Sequence, residues 1–167
     1  NIPTESIAFL AKKCKVPIFA DPVSCTKAAR LLPSLSNLYA VTPNALETRI
    51  LTGDKVESAS DETLEKAVKV FTDAGVKTVA LTLGEDGIYI ADKKNGFHVR
   101  NLPCKLMNAT GAGDAMMAGF AYAHTKEMSL KETALVGLAA AAIACESTTT
   151  INESMSIEAV LKRAGLD

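Results

Sequence analysis

The sequence predicts an α/β fold in which a mostly parallel β-sheet is flanked by helices and continues into a β-hairpin. Helical periodicity and short apolar runs alternate three times between Thr4 and Leu83, which is typical of a parallel sheet covered by helices. After Gly111 the sequence is nearly all helical. The chain has 167 residues, 48% of them hydrophobic, so it is long enough to bury a core, and we expect one domain over residues 1–167.

The elements expected before residue 42 are a helix at Thr4–Cys14, a strand at Ile18–Ala20, a helix at about Thr26–Leu32 and a strand at Leu38–Val41. Thr4 is expected to cap the first helix, because its side-chain oxygen can accept a hydrogen bond from a free backbone amide. Asp21-Pro22 ends the first strand. Pro43 ends the second, since proline has no amide to donate to a sheet.

The elements expected from residue 44 onward are helices at Asn44–Gly53 and Leu64–Ala74, a strand at Thr78–Leu83, paired strands at Gly87–Ala91 and Phe97–Leu102, and helices at Asp114–Lys126, Leu130 to about Glu146, and Ile157–Ala164. Gly53 and Gly75 are placed to end the first two helices, and Ser60 opens a capping sequence before the second. An Asn95-Gly96 turn is expected to join the paired strands.

Charge and composition exclude several classes of protein. The chain carries 18 basic and 19 acidic residues without a basic run, so we expect no nucleic-acid partner. Its longest apolar stretch, Leu135–Cys145, is about half of a bilayer crossing, so we expect no membrane span. The four cysteines form no C-x-x-C pair and there are only two histidines, which makes a zinc site hard to assemble. We therefore expect reduced cysteines and a cytoplasmic protein.

A glycine-rich segment before a long helix is the first candidate site. Gly111, Ala112 and Gly113 fall at the helix N-terminus, where unpaired amides and the helix dipole favour an anion such as phosphate. Asp114 follows directly, and a carboxylate there could take a proton from a group that attacks the anion. The alternative interpretation is an acidic residue that only stabilises the start of a helix behind a flexible loop.

Two further clusters lie at strand ends and helix starts. Asn44 and Glu47 share the first turn of a helix, where an amide and a carboxylate suit a hydrated magnesium ion; an ordinary capping box is the alternative. Thr82, Gly84 and Gly87 form a turn after a buried strand, where open α/β sheets bind ligands; a simple connecting turn is the alternative. We expect all three clusters at the same edge of one sheet.

Taken in chain order, these motifs resemble those of the ribokinase-like (PfkB) carbohydrate kinases. The chain contains an N-x-x-E element at Asn44–Glu47, a T-x-G-x-x-G element at Thr82–Gly87, and the D-T-x-G-A-G-D signature at Asn108–Asp114, with asparagine in its first position. The resemblance implies ATP and Mg²⁺, with Asp114 as the catalytic base. It further implies an anion hole at Gly111, Ala112 and Gly113, magnesium and phosphate contacts at Asn44 and Glu47, and an ATP site lined by Thr82, Gly84, Gly87 and Thr110.

The resemblance also implies an acceptor and an assembly. The segment Phe19–Ser24 with Lys27, together with the Asn108 form of the signature, is similar to the pseudouridine kinase branch, which implies phosphorylation of the pseudouridine 5′-hydroxyl. Ribose or another nucleoside is the alternative acceptor, and a catalytically silent nucleotide-binding fragment is the alternative of another class. Potassium use stays open, because Asn108 replaces an aspartate that helps hold the cation in relatives. Relatives are about twice as long, so we expect a C-terminal part without the N-terminal half and lid, inactive alone and homodimeric in the complete enzyme.

Overall fold

The computed structural model describes residues 2–53 and 60–167 and confirms the α/β prediction. Its helices and strands are α1 (Thr4–Lys13), β1 (Phe19–Ala20), α2 (Cys25–Ala28), β2 (Ala40–Val41), α3 (Ala45–Thr52), α4 (Asp61–Asp73), β3 (Thr78–Thr82), β4 (Ile88–Ala91), β5 (Gly96–Val99), α5 (Ala112–Thr125), α6 (Leu130–Cys145) and α7 (Ile157–Ala164). The chain divides into two compact units, Asn1–His98 and Val99–Asp167. The expectation of a single domain stays a prediction.

The first unit is built on one sheet with the strand order β1-β2-β3-β4-β5. β1 pairs with β2 and β2 with β3 in parallel, whereas β3 pairs with β4 in an antiparallel arrangement. Because the first three strands are parallel, the residues that follow them lie at the same edge of the sheet. An isolated parallel bridge between Asn44 and Thr82 extends the β2–β3 pairing to that edge.

Helix α4 covers the middle of this sheet. Its apolar residues recur at helical spacing, and Leu64, Val68 and Phe71 are buried in the same core cluster as Val79 and Leu81 of β3. Burial of side chains of this size contributes about 1.5–3 kcal/mol each relative to exposure. The helix and the central strand therefore provide the rigid support for the strand ends.

Local sequence signals predicted some helix ends correctly and others incorrectly. Gly53 ends α3 with a left-handed φ of 78°, as predicted. The cap of α1 is Pro3 rather than Thr4, and it forms no side-chain hydrogen bond. The predicted helix at Thr26–Leu32 is wrong in type, because α2 ends at Ala28 and a 3₁₀ helix continues over Ala29–Asn37. Pro33 lies inside that 3₁₀ helix and has no amide to donate to an α-helix.

The second strand of the β4–β5 hairpin begins one residue earlier than predicted. The turn is closed by the amide of Asp92 donating to the carbonyl of Asn95 at 2.9 Å, so Gly96 is the first residue of β5 rather than part of the turn. The Asp92 carboxylate fixes the turn by accepting from the amides of Lys94 and Asn95 at 2.7 Å each. Glycine at position 96 makes room for Tyr89, because a Cβ would lie 2.7 Å from the Tyr89 hydroxyl and the ring would have to shift.

The second unit consists of α5, α6 and α7. Gly119 and Gly137 let the backbones of α5 and α6 meet, since a Cβ on Gly119 would lie 3.0 Å from the Cα of Gly137. Helix α7 has the predicted bounds and packs its buried Val160 and Ala164 into a cluster with α6. Within the described ranges, no helix combines the length and the apolar character that a bilayer crossing requires.

Candidate functional site

The glycine-rich segment forms the N-terminus of α5. Gly111 is the N-cap residue, with a left-handed φ of 87°. A Cβ at this position would also lie 3.1 Å from the carbonyl oxygen of Thr150, so glycine is required both for conformation and for space. Gly113 lies inside the helix and is not among the glycines with positive φ. The helix dipole and the first-turn amides at this end favour an anion.

Asn108 holds the loop that precedes this helix. Its side-chain oxygen accepts from the amide of Thr110 at 2.9 Å, and its side-chain nitrogen donates to the carbonyl of Thr148 at 3.5 Å. The amides of Met107 and Asn108 both donate to the carbonyl of Cys145, at 2.8 and 3.2 Å. These bonds tie the start of the glycine-rich segment to the C-terminal end of α6 and to the residues that follow it.

Asp114 is the third residue of α5 and is exposed. In residues 2–53 and 60–167, no group forms a hydrogen bond or ion pair with its carboxylate. All of its lone pairs are therefore open to a substrate, as a proton acceptor requires. A helix-stabilising acid would occupy the same position, so the catalytic role of Asp114 stays a prediction.

Asn44 and Glu47 form a complete capping box at the start of α3. The amide of Glu47 donates to the side-chain oxygen of Asn44 at 2.9 Å, and the amide of Asn44 donates to Oε2 of Glu47 at 3.0 Å. The capping interpretation of this pair is thus confirmed. The capping bond does not exclude a magnesium role for Glu47, because it uses Oε2 and leaves Oε1 of the same carboxylate outside the bond.

Glu47 is unusual for a capping residue because it is only 3% exposed. Burial raises the pKa of its carboxyl above the ordinary value, the hydrogen bonds with Asn44 lower it, and the negative charge of Asp21 raises it further. Among the residues that the structure describes, no basic side chain contributes to this balance. A buried carboxylate is costly unless it is paired, so a hydrated divalent cation beside Glu47 and Asn44 fits the donor set of this site.

The turn after β3 lies next to this capping box. The amide of Thr82 donates to the carbonyl of Pro43 at 2.9 Å, which places Thr82 beside Asn44 as predicted for parallel strand ends. Gly84 and Gly87 both have positive φ, 62° and 93°. Two of the three predicted clusters are therefore neighbours. Asp114 and the glycine-rich segment belong to the second unit, and the expectation that all three share one edge stays a prediction.

Sequence reasoning missed two residues at this sheet edge. Asp21 acts on the pKa of Glu47 through its charge, and it follows β1 directly, as Thr42 follows β2. Thr42 is buried, and its hydroxyl has no hydrogen-bond partner among the described residues. The signal that could have identified Asp21 and Thr42 was their position directly after parallel strands, where ligands bind in open α/β sheets. No three side chains of His, Cys, Asp or Glu converge as a metal-binding group in the described part of the chain.

Comparison with known proteins gives consistent matches. The family model described as pfkB family carbohydrate kinase matches residues 4–157. The chain is 34% identical to the pseudouridine kinase of Escherichia coli (strain K12), over 96% of this chain and 51% of that protein. It is 36% identical to the ribokinase of Haemophilus influenzae, over 83% of this chain and 44% of that protein.

A solved structure matches over a similar share of the two chains. The structure of Arabidopsis thaliana ribokinase complexed with ribose and ATP superposes with a TM-score of 0.83 and 28% identity, over 98% of this chain and 53% of that one. This likeness confirms the predicted fold. The chain spans about half the length of the curated relatives it matches.

Proposed function

Because the chain belongs to the pfkB family of carbohydrate kinases, we propose that it forms the ATP-binding and catalytic part of an enzyme that phosphorylates a sugar or nucleoside hydroxyl. The observation that carries this proposal is the N-terminus of α5, where Gly111 opens the helix with a φ of 87° and Asp114 follows in the first turn with an open carboxylate. Phosphoryl transfer depends mainly on positioning and electrostatic stabilisation, which such a helix end supplies.

In the proposed reaction, the acceptor hydroxyl transfers its proton to the carboxylate of Asp114 as its oxygen attacks the γ-phosphorus of ATP in line. The bond between that phosphorus and the β–γ bridging oxygen breaks, and ADP leaves. The amides of Gly111, Ala112 and Gly113 stabilise the negative charge on the transferred group. Asn44 and Glu47 would hold magnesium through water, and the ion when bound would neutralise charge on the nucleotide phosphates.

The nucleotide itself is assigned to two parts of the chain. Thr82, Gly84 and Gly87 would line the ATP site from the turn after β3, where glycines with positive φ leave the backbone accessible. Thr110, whose amide is bonded to Asn108, would complete it from the glycine-rich segment. These assignments rest on the family motifs and on the observed conformation of the two turns.

For the acceptor, we propose the 5′-hydroxyl of pseudouridine. The support is the 34% identity to a pseudouridine kinase over 96% of the chain, together with the segment Phe19–Ser24 and Lys27. Ribose is the second candidate, because a ribokinase is 36% identical over 83% of the chain. Turnover by the complete enzyme with pseudouridine, uridine and ribose, compared at equal concentrations, decides between them. Homodimer assembly and a cytoplasmic location stay predictions.

The first test is nucleotide binding by the chain itself. ATP with magnesium is expected to raise its melting temperature, because a ligand that binds only the folded state stabilises it by mass action. At about ten times the dissociation constant the gain is about 1.4 kcal/mol, or roughly 3–6 °C for a chain of this length. Thermal-shift measurements with ATP and magnesium, ATP and EDTA, and adenosine as a ligand without phosphates check this. Calorimetry that detects no binding at millimolar ATP would contradict the assignment.

Glu47→Gln tests the magnesium site. Glutamine is compatible with a capping box, so the variant is expected to keep α3 while losing the charge. The magnesium concentration needed for half-maximal ATP binding should rise about tenfold or more, as for other groups that act on a metal through water. Glu132→Gln is the matched control, because Glu132 forms the same capping box with Ser129 in α6. An equal change in both variants would remove Glu47 from the metal site.

The same titration has an expected pH dependence. Burial raises the pKa of Glu47, so this carboxylate takes up a proton at a higher pH than an ordinary glutamate. The magnesium requirement of the unaltered chain should therefore increase as the pH falls through that pKa. The Gln variant has no charge to lose at this position and should show a flatter profile.

A further inference from the structure

A side chain of the hairpin contacts the turn after β3. Nε2 of His98, in β5, lies 2.6 Å from the carbonyl oxygen of Asp86, twelve residues earlier. A carbonyl oxygen can only accept a hydrogen bond, so Nε2 of His98 must carry the proton. This contact is a direct link between the hairpin and the 3₁₀ turn Gly84–Asp86.

The turn that receives this bond has one short and two long backbone hydrogen bonds. Gly84 and Gly87 both have positive φ, and glycine has the widest backbone freedom of any residue. The amide of Asp86 donates to the carbonyl of Leu83, and the amide of Gly87 donates to the carbonyl of Gly84. Both distances are 3.3 Å, which is long for a backbone hydrogen bond. A shorter bond, 2.8 Å from the amide of Leu83 to the carbonyl of Gly87, closes the turn. A donor from another strand therefore restrains the peptide at Asp86 considerably.

We propose that His98 is a positioning residue for the nucleotide. By holding the carbonyl of Asp86, it fixes the Gly84–Gly87 turn in the conformation that receives ATP, without contacting the acceptor. This inference rests on the proposed function, which assigns Thr82, Gly84 and Gly87 to the ATP site. It predicts that the donor on residue 98 affects nucleotide affinity and the local stability of the turn together.

The other end of the same hairpin offers a matched control. The Asp92 carboxylate accepts from two amides of the Asp92–Asn95 turn, at the tip between β4 and β5. Asp92→Ala loosens the hairpin there without removing the bond to Asp86. If His98 only stabilised the hairpin, its removal and Asp92→Ala would have the same effect on nucleotide affinity.

The test compares ATP affinity by calorimetry in the unaltered chain and in the variants His98→Leu, His98→Ser, His98→Gln and Asp92→Ala. Loss of one hydrogen bond predicts an affinity about three- to tenfold lower in the Leu and Ser variants. His98→Gln keeps an N–H donor of similar reach and should bind within about twofold of the unaltered chain, as should Asp92→Ala. Amide hydrogen exchange at Asp86 and Gly87 should accelerate by a similar factor in the Leu and Ser variants only.

The outcomes separate this inference from the proposed function. Unchanged ATP affinity in both the Leu and Ser variants would overturn the role of His98 and leave the proposed function intact. An equal loss in those variants and in Asp92→Ala would overturn it as well, in favour of general hairpin stability. If the unaltered chain does not bind ATP, the proposed function is overturned. If amide exchange at Gly87 is unchanged in the Leu and Ser variants, that result alone refutes the positioning of the turn by His98.

Discussion

Asp114→Asn is expected to lower kcat about 10²- to 10⁴-fold in the form of the enzyme that shows turnover, with ATP affinity nearly unchanged. Asparagine has almost the same shape as aspartate but cannot accept the proton of the attacking hydroxyl. The Asp114 carboxylate has no hydrogen-bond or ion-pair partner among the described residues, so its replacement breaks no such bond within them. Steady-state kinetics with ATP and the acceptor, together with calorimetry for ATP, measure the two quantities separately.

The alternative role of Asp114, stabilising a helix N-terminus, makes a different prediction. An acid in the first turn contributes about 0.3–1 kcal/mol through the helix dipole, so its loss would cause a small drop in stability and no change in kcat. Glu158 lies in the first turn of α7 and provides the comparison. Glu158→Gln should reproduce the small stability loss with normal turnover. If Asp114→Asn behaves in the same way, Asp114 is not the base.

Gly137→Ala is expected to destabilise the second unit strongly for the addition of one methyl group. A Cβ on Gly137 would lie 2.1 Å from Cε1 and 2.6 Å from Cδ1 of Phe120, a ring that is 1% exposed and has little room to move. Overpacking of this kind costs about 1–3 kcal/mol or more. The melting temperature should fall by roughly 3–10 °C, as measured by calorimetry or circular dichroism.

Two controls identify the cause of that loss. Gly165→Ala introduces the same methyl group where nothing lies within 4 Å, so only its positive φ of 71° opposes the change, at about 1 kcal/mol. Phe120→Leu shortens the side chain that the new methyl would strike. The double variant Gly137→Ala, Phe120→Leu should therefore lose less stability than the two single losses added together. Strict additivity would mean that the contact with Phe120 is not responsible.

Much of the fold follows from local signals that the sequence contains. Gly53 ends its helix because glycine adopts the left-handed conformation easily, and the bounds of α7 follow from Ser156 and Gly165 at its ends. The 3₁₀ helix over Ala29–Asn37 was missed because its apolar spacing resembles that of an α-helix up to Pro33. The hairpin turn was misplaced because Gly96 is a glycine for a packing reason, the approach of Tyr89 from the neighbouring strand β4.

The candidate site also has a part that the sequence predicts and a part that it does not. The meeting of Asn44 and Thr82 follows from the rule that parallel strand ends share an edge, and the structure places them together. The near-complete burial of Glu47, the charge of Asp21 beside it and the bond from His98 to Asp86 could not be predicted. Each depends on residues that are distant in sequence, and no periodicity or local motif encodes such contacts.

Helices α5 and α6 are expected to move as one body. At Gly119 and Gly137 the two backbones meet without intervening side chains, and a close-packed contact of this kind has no room for sliding or rotation. Any displacement of the N-terminal end of α5, which we propose binds phosphate, must then be absorbed before the helix begins, by rotation about the dihedrals of Gly111. The helix pair would thus act as a rigid support. Adaptation to different nucleotides would be confined to the short loop that precedes α5.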